Sequence, residues 1–252
     1  MKWVKKWMPK FKITIEYDGT NFVGWQRQEN GPSIQSSIED AIKKITLETV
    51  NVFGAGRTDS GVHAKGQVAH FDISKHIALD NIRDGLNQYL RPLPIAILKA
   101  EEVDETFHAR FSAILRHYEY LIINRRSPLT LNKHQAWGVF KEININYIKE
   151  ATSFFLGQHD FSAFRSIDCQ SSSSIKTIQS CSVKTNDEYI SINISAKSFL
   201  HSQVRIMTGT LVEVGKGKIK PSDVKEIIKS KDRSKAGVTA PAHGLYLVKV
   251  EY

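Results

Sequence analysis

Residues 11–19 read FKITIEYDG. Apolar and polar side chains alternate from Phe11 to Tyr17, which is the period of a half-buried β-strand, and Asp18-Gly19 follows as a turn signal. Pro32-Ser33 then opens an amphipathic helix that carries isoleucines at helical spacing, with Ser33 as its N-cap. This succession of a strand and a helix predicts an α/β chain.

The same two patterns recur to the end of the chain. Strands are predicted at 67–73, 95–98, 118–123, 189–196 and 245–252, and helices at 79–90 and 221–228. Asn144 or Asn146 is expected to cap a further helix that ends at Gly157. Residues 204–214 mix helix formers with Gly209 and fit no single pattern.

Turn-rich sequence near residues 101–112 separates two α/β halves. We therefore expect three parts, which are a basic N-terminal extension over residues 1–10, an N-terminal α/β subdomain over residues 11–105 and a C-terminal α/β subdomain over residues 106–252. The N-terminal subdomain contains a glycine-rich loop, and residues 1–9 of the extension carry Lys2, Lys5 and Lys6.

The excess of basic over acidic residues indicates an anionic partner. The chain of 252 residues has 35 basic and 26 acidic residues, a formal net charge of +9, which favours nucleic acid or an acidic membrane face. No run reaches the roughly 18 apolar residues of a membrane helix, and Pro9 interrupts the amino terminus before a signal-peptide run develops. Cys169 and Cys181 lack zinc-ligand spacing, and so few thiols are typical of a reducing compartment. The sequence predicts a soluble, cytoplasmic protein without a membrane segment.

The densest cluster of functional residue types is Gly54-Ala-Gly-Arg-Thr-Asp-Ser-Gly-Val-His63. Its glycines allow close approach of the backbone to a ligand, and they flank an Arg-Thr-Asp triplet that reads as buried. Asp59 can act as a nucleophile, and Arg57 can hold a phosphate or replace an extruded base. A structural turn is the alternative, because Asp-Ser-Gly is ordinary turn chemistry. The segment has neither the ending of a phosphate loop nor the G-x-G-x-x-G pattern, so ATP and NAD are not indicated.

Six other segments follow a fixed order around this loop. The seven together are Tyr17-Asp-Gly-Thr-Asn-Phe-Val-Gly-Trp-Gln26, Gly54-Ala-Gly-Arg-Thr-Asp-Ser-Gly-Val-His-Ala64, Phe107-His-Ala-Arg110, Arg116-His-Tyr-Glu-Tyr120, Gly157-Gln-His-Asp-Phe-Ser-Ala-Phe164, Phe199-Leu-His-Ser-Gln-Val-Arg205 and Ala240-Pro-Ala-His-Gly-Leu245. They span essentially everything after Pro9. In this order they resemble the tRNA pseudouridine synthase A family.

The resemblance implies roles for four residues. Asp59 matches the catalytic aspartate, and Arg57 matches the arginine that helps to extrude the target nucleotide. Tyr118 matches the aromatic residue that packs on the target base, and Arg205 matches the basic residue that pairs with the catalytic carboxylate. Judged from the residues alone, Tyr118 could instead belong to the core and Arg205 could contact a phosphate.

The resemblance also implies a fold and a reaction. The fold is α/β (α+β), with two RRM-like halves forming a mixed, mainly antiparallel sheet flanked by helices and a basic cleft between the halves. The reaction converts uridine to pseudouridine at positions ~38–40 of the tRNA anticodon stem-loop, after base flipping and by recognition of shape and backbone. The implied assembly is a homodimer. Neither a cofactor nor a metal is expected, because the isomerisation has no redox change and takes up no external group.

Several features have two interpretations. His63, His159 and His201 fit no common zinc motif and are interpreted as structural or RNA-contacting residues. The lysine-rich stretches 216–220 and 229–235 are either solvated faces or contacts to an RNA backbone.

Two departures from the family pattern concern loop geometry. Gln203 stands where the family more often has an apolar residue, and the serine run Ser171–Ser174 replaces a proline-containing turn. Two other classes of protein also remain open, a catalytically silent RNA-binding module and a glycosidase or nucleoside hydrolase. A hydrolase would usually need a second carboxylate as its acid.

Overall fold

The computed structural model describes residues 8–252. Residues 1–7 of the predicted basic extension, which include Lys2, Lys5 and Lys6, therefore lie outside the described residues. The chain forms two compact units, the first extending to Ala113 and including Tyr252, and the second running from Ile114 to Glu251. Within residues 8–252, no helix has the length and apolar character needed to cross a membrane.

The first unit has the element order βαββαβ. Its elements are β1 (Lys10–Tyr17), α1 (Ile34–Thr46), β2 (Phe53–Gly54), β3 (His63–Asp72), α2 (Leu79–Leu90) and β4 (Ile95–Val103). The strands pair antiparallel in the order β4-β1-β3-β2. Ser33 caps α1, since its Oγ accepts from the Ser36 N–H at 3.1 Å. Ile42 of α1, Phe71 of β3 and Leu86 of α2 line one small void, so both helices pack on the same core.

The second unit repeats this order with additions. Its elements are β5 (Leu115–Asn124), β6 (Trp137–Val139), α3 (Ile145–Thr152), β7 (Gly157–Asp160), β8 (Ile175–Asn186), β9 (Tyr189–Ala196), α4 (Gln203–Gly215), α5 (Asp223–Ser230) and β10 (Leu245–Glu251). The antiparallel order is β10-β5-β9-β8-β7, and β6 alone pairs parallel, with β5. Within it, β5, α3, β8, β9, α4 and β10 form a second βαββαβ set whose strands follow the same spatial order as those of the first unit.

These sheets confirm the predicted fold class. Each unit is RRM-like in element order, and the strands are mainly antiparallel with one parallel pair and helices packed against them. The predicted strands and helices are present. Residues 204–214, which fitted no single pattern, belong to a helix, and residues 101–103, expected to be turn-rich, continue β4.

One predicted helix end is wrong. The helix capped by Asn144 stops at Thr152 and is followed by a single 3-10 turn, Ser153–Phe155. Gly157, expected to be the C-terminal cap of this helix, has a positive φ of +88° but begins β7. The positive φ there redirects the chain into the sheet.

Candidate active site

The loop that joins β2 to β3, residues 55–62, carries both charged residues of the Arg-Thr-Asp triplet. Arg57 is exposed, Thr58 is buried and Asp59 is half-buried. The expectation that the whole triplet is buried is therefore wrong for Arg57, and only the threonine is fully enclosed. Arg57 therefore lies at the surface, and Asp59 is only partly exposed.

Thr58 is the anchor of this loop. The Tyr17 hydroxyl lies 2.8 Å from Thr58 Oγ1 in a buried hydrogen bond, and the Trp25 N–H donates to the Thr58 carbonyl at 3.0 Å. Gly24 makes the close approach possible, because its φ is +117° and a Cβ there would lie 2.6 Å from the same carbonyl oxygen. The residue before Asp59 is thus held through both its side chain and its main chain.

Asp59 begins a turn. Its carbonyl accepts from the Val62 N–H at 3.1 Å, and Gly61 has the φ of +77° that such a turn favours. Ser60 Oγ donates to the Phe22 carbonyl at 3.0 Å, which ties the turn to the segment after β1. The turn uses the main-chain carbonyl of Asp59, so the presence of a turn does not by itself decide the role of the carboxylate.

A buried glutamine holds the other side of Arg57. Gln67 Nε2 donates to the Gly56 carbonyl at 2.8 Å, and its Oε1 accepts from the Val68 N–H at 3.2 Å. Arg57 is therefore presented between two anchored neighbours. Sequence reasoning did not single out Gln67, and the signal that could have found it is a glutamine within an otherwise apolar strand pattern.

His63 has a structural contact at the start of β3. The Gly19 N–H donates to His63 Nδ1 at 3.1 Å, and the ring is almost fully buried. Asp18 Oδ1 also lies 3.1 Å from Nδ1. Because Nδ1 accepts the hydrogen bond from the Gly19 N–H, it does not at the same time donate one to Asp18. His63 therefore joins the two sequence segments that form the Asp59 loop.

Tyr118 lies on β5, an interior strand of the second unit's sheet. On β5 it is paired between Leu247 of β10 and Ile194 of β9, and it is 9% exposed. Its ring meets the Phe199 ring edge-on, with centroids 5.2 Å apart and an interplanar angle of 90°. This packing fixes the orientation of the Tyr118 ring while a small part of the residue stays accessible.

Two successive carbonyls link Arg205 to the strand that carries Tyr118. Arg205 Nε, in the first turn of α4, donates to the Ala240 carbonyl at 2.8 Å, and the Tyr120 hydroxyl donates to the Pro241 carbonyl at 2.7 Å. Burial raises the pKa of Tyr120 well above its usual value, and the nearby positive charge of Arg205 partly offsets this rise. The structure thus brings Arg205 beside β5.

The start of α4 explains the first departure from the family pattern. Gln203 is buried, and its Oε1 accepts from the Leu200 N–H at 2.8 Å across a turn in which Ser202 has a φ of +58°. A buried polar side chain is tolerated when it is hydrogen-bonded in this way. Gln203 therefore stabilises the turn that leads into Arg205.

The second departure, the serine run, lies in a loop that Arg165 closes. Arg165 donates to the Cys169 carbonyl at 2.6 Å and to Ser174 Oγ at 3.2 Å. The main chain of His201 then accepts from the Ser166 N–H and donates to Cys169 Sγ. Cys169 and Cys181 are both free and buried. The loop is therefore tied to the same turn that precedes α4.

Comparison with known proteins identifies the relatives of this chain. Residues 13–112 and 151–252 match the family described as tRNA pseudouridine synthase. The protein named tRNA pseudouridine synthase A from Anaplasma phagocytophilum is 52% identical over 245 residues, covering 96% of this chain and 100% of that protein. The proteins of that name from Methylocella silvestris and Maricaulis maris are 52% and 50% identical, and each alignment covers 97% of this chain. The chain belongs to the tRNA pseudouridine synthase family, whose members are isomerases.

Proposed function

We propose that this chain isomerises uridine to pseudouridine in tRNA, with Asp59 as the catalytic nucleophile. The observation that carries the proposal is the construction of the Asp59 loop. Thr58 is anchored to Tyr17 at the end of β1 and Ser60 to the segment after β1, and Asp59 between them is half-buried. A group that must meet a sugar carbon in a fixed geometry needs this kind of support.

The reaction breaks the N1–C1′ glycosidic bond and forms a C5–C1′ bond. The Asp59 carboxylate traps or stabilises the sugar carbon, as in retaining glycoside hydrolysis. The detached uracil turns and reattaches through C5, which then loses its proton to a base, while N1 ends with a proton. Substrate and product are isomers, so the chemistry requires neither an oxidant nor a group donor.

The other three residues are assigned supporting roles. Exposed Arg57 helps to extrude the nucleotide from the stem, a step that costs a few kcal/mol. Tyr118 packs on the uracil ring and limits its motion while it is detached. The family resemblance assigns Arg205, whose Nε donates to the Ala240 carbonyl, the role of pairing with the catalytic carboxylate.

The finer parts of the proposal rest on family resemblance. The target uridine lies at positions ~38–40 of the anticodon stem-loop, where shape and backbone contacts guide recognition. The chain acts as a homodimer in the cytoplasm. Incubating tRNA transcripts with the enzyme and mapping the pseudouridine that forms tests the position. Sedimentation equilibrium tests the dimer.

Tritium release from tRNA labelled at C5 of uridine tests the reaction. We expect release by the wild type and none by Asp59→Asn, with tRNA binding retained. Asp187→Asn is the matched control, because Asp187 lies in the β8–β9 turn with a φ of +52° that asparagine also adopts. Free uracil as the product would indicate a hydrolase, and binding without any product would indicate a silent RNA-binding module.

A second substitution tests the extrusion role. Arg57→Ala is expected to lower turnover strongly while most of the tRNA affinity remains, because one exposed cation contributes little to total binding but is needed to open the stem. Arg126→Ala is the control. It removes another exposed arginine and should leave turnover unchanged. Turnover by Arg57→Ala at the wild-type rate would remove the proposed role.

A further inference from the structure

The first unit exposes an aromatic cluster that has no role in the chemistry above. Phe111 is 72% exposed and Phe53 is 45% exposed. The His108 ring lies between them, with its centroid 4.4 Å from that of Phe111 and 5.7 Å from that of Phe53. We call these three rings together with Arg110 the aromatic platform. Contiguous exposed apolar surface of this kind usually marks a binding surface.

The platform is rigid because its turn is closed by hydrogen bonds. His108 Nδ1 accepts from the Arg110 N–H at 3.1 Å and from the Phe111 N–H at 3.4 Å. The His108 N–H donates to Ser112 Oγ at 3.0 Å, and the Ser112 N–H donates to the His108 carbonyl at 2.9 Å. The main chain that presents Phe111 is thus fixed before a ligand binds, which lowers the entropic cost of binding.

A buried histidine supports the platform from below. The His70 ring stacks on Phe53 with centroids 5.2 Å apart, and His70 Nδ1 accepts from the Ala109 N–H at 3.1 Å. Phe53 pairs with His70 in the sheet. Phe53 also begins the strand that leads directly into the loop bearing Arg57 and Asp59, so the platform adjoins the base of that loop.

The charges of the platform indicate the kind of ligand. The Arg110 guanidinium carbon lies 5.6 Å from the Phe111 ring centroid. Lys12, which pairs with Glu101 at 3.0 Å, lies near the platform with its Nζ 5.9 Å from the ring centroid of Phe107, so Arg110 is the cation assigned to a phosphate. Burial together with the positive charges of Lys10 and Arg110 lowers the pKa of His108, which keeps its ring neutral at pH 7. Exposed aromatic faces beside cations fit a nucleotide, whose base stacks on a ring and whose phosphate pairs with an arginine.

We propose that the aromatic platform binds an unpaired nucleotide of the RNA substrate, with the base stacked on Phe111 and the phosphate contacted by Arg110. An unpaired nucleotide is required because a base inside a duplex does not offer a free face. The inference rests on the proposed function in one respect only, which is that RNA is the substrate. A hydrophobic contact with a second copy of this chain is the competing use of the same surface.

Equilibrium binding to an unmodified tRNA transcript, measured by fluorescence anisotropy at several salt concentrations, tests this proposal. Phe111→Leu keeps an apolar side chain but removes the aromatic face, and we expect Kd to rise about tenfold, within the range reported for loss of one stacking contact. Phe111→Trp should bind at least as tightly as the wild type. Arg110→Gln should weaken binding and reduce the slope of log Kd against log salt by about one.

Phe140 provides the control variant, and two results would overturn the proposal. Phe140→Leu changes another exposed phenylalanine, 58% accessible and in the second unit, and should leave Kd unchanged. Equal Kd values for Phe111→Leu and the wild type would overturn the proposal, and weakened self-association of that variant in sedimentation would then assign the platform to a subunit contact. A wild type that does not bind tRNA would also overturn it.

The binding measurement is independent of turnover. A wild type that binds tRNA through Phe111 but forms no pseudouridine would refute the proposed reaction and leave the platform standing. An active enzyme whose Kd is insensitive to Phe111 would refute the platform alone.

Discussion

The buried hydrogen bond between Tyr17 and Thr58 fixes the residue that precedes Asp59, whose carboxylate is proposed as the nucleophile. Tyr17→Phe removes the hydroxyl at 2.8 Å and leaves the Thr58 hydroxyl buried without that partner. We expect a loss of stability of about 1 to 2 kcal/mol and a fall in the single-turnover rate of about tenfold, because small displacements of a reacting group are costly.

Tyr89→Phe is the control for this prediction. Tyr89 lies on α2 and is half exposed, so losing its hydroxyl should change neither thermal stability nor the single-turnover rate. A Tyr17→Phe enzyme that is less stable but equally fast at saturating tRNA would show that the hydrogen bond serves only the fold.

His70 gives the second prediction at this scale, a pH dependence of stability. Burial, followed by the nearby His108 and Lys10, lowers the pKa of His70 from 6.5 to about 4. The unfolded chain therefore binds more protons than the folded chain between these two values, so stability falls as pH decreases from about 6.5 to about 4. The shift corresponds to about 3 kcal/mol. Urea unfolding of the wild type and His70→Gln across this window measures it.

His70→Gln also loses the hydrogen bond from the Ala109 N–H, which lowers stability at every pH. The test is therefore the slope of the unfolding free energy against pH and not its value at one pH. The variant should be less stable at pH 7 but should have a flatter pH dependence below 6.5. His76→Gln, at an exposed position, should keep the wild-type slope. An unchanged slope in His70→Gln would mean that His70 is not the group that titrates.

At the scale of elements, α4 depends on one glycine. A Cβ at Gly209 would lie 1.7 Å from the Val238 carbonyl oxygen, which is main chain and cannot move aside cheaply. Gly209→Ala should therefore destabilise the protein by about 3 kcal/mol. It should also lower activity, because the displaced segment includes the Ala240 carbonyl that accepts from Arg205. Thermal unfolding and tritium release measure the two effects.

The same substitution in another helix provides the comparison. A Cβ at Gly85 in α2 would meet only the Ile45 side chain, at 3.1 Å from its Cδ1. The gain in helix propensity, about 1 kcal/mol, should roughly offset that contact, so Gly85→Ala should change stability by less than about 1 kcal/mol. A loss from Gly209→Ala as small as the one expected for Gly85→Ala would show that helix α4 tolerates a larger residue at Gly209.

Elements with one strongly apolar face could be predicted from sequence, and the others could not. β1 and β9 alternate regularly, and α1 has both a cap and a periodic stripe, so their patterns alone are sufficient. β8 was not predicted because most of its residues are exposed and a bulge after Ile178 interrupts its alternation. α4 could not be predicted because Gly209 is unfavourable inside a helix. The close contact with the Val238 carbonyl that requires a glycine there comes from a segment distant in sequence.

At the scale of the whole molecule, the candidate site depends on contacts that no local pattern contains. The turn at Asp59 could be predicted from Asp-Ser-Gly, but its anchoring by Tyr17 could not, because a hydrogen bond between distant residues leaves no periodic signal. The same holds for Arg205 and Tyr120, which are joined through the carbonyls of Ala240 and Pro241. The ordered family segments were informative because they mark residues that are far apart in the sequence but belong to one site in the family.

The distribution of charge also becomes clear only in the folded molecule. The lysine-rich stretches 216–220 and 229–235 looked like candidate RNA contacts, yet many of their cations are used within the second unit. Lys218 pairs with Glu213 at 2.7 Å, and Lys229 pairs with Glu226 at 2.9 Å. Arg233 donates to main-chain carbonyls and to Thr239. We therefore expect these stretches to contribute less to tRNA affinity than their charge suggests.

A charge-neutral double substitution tests this expectation. Lys229→Gln combined with Glu226→Gln removes a whole exposed ion pair without changing the net charge of +9. Such a pair contributes at most about 1 kcal/mol to stability, so the variant should fold, and its Kd for tRNA should stay within about twofold of the wild type. Arg110→Gln, which removes one cation, should weaken binding more and reduce the salt slope. If the double variant instead binds several-fold more weakly, then Lys229 leaves Glu226 to contact the RNA backbone, and the ion pair belongs only to the unbound protein.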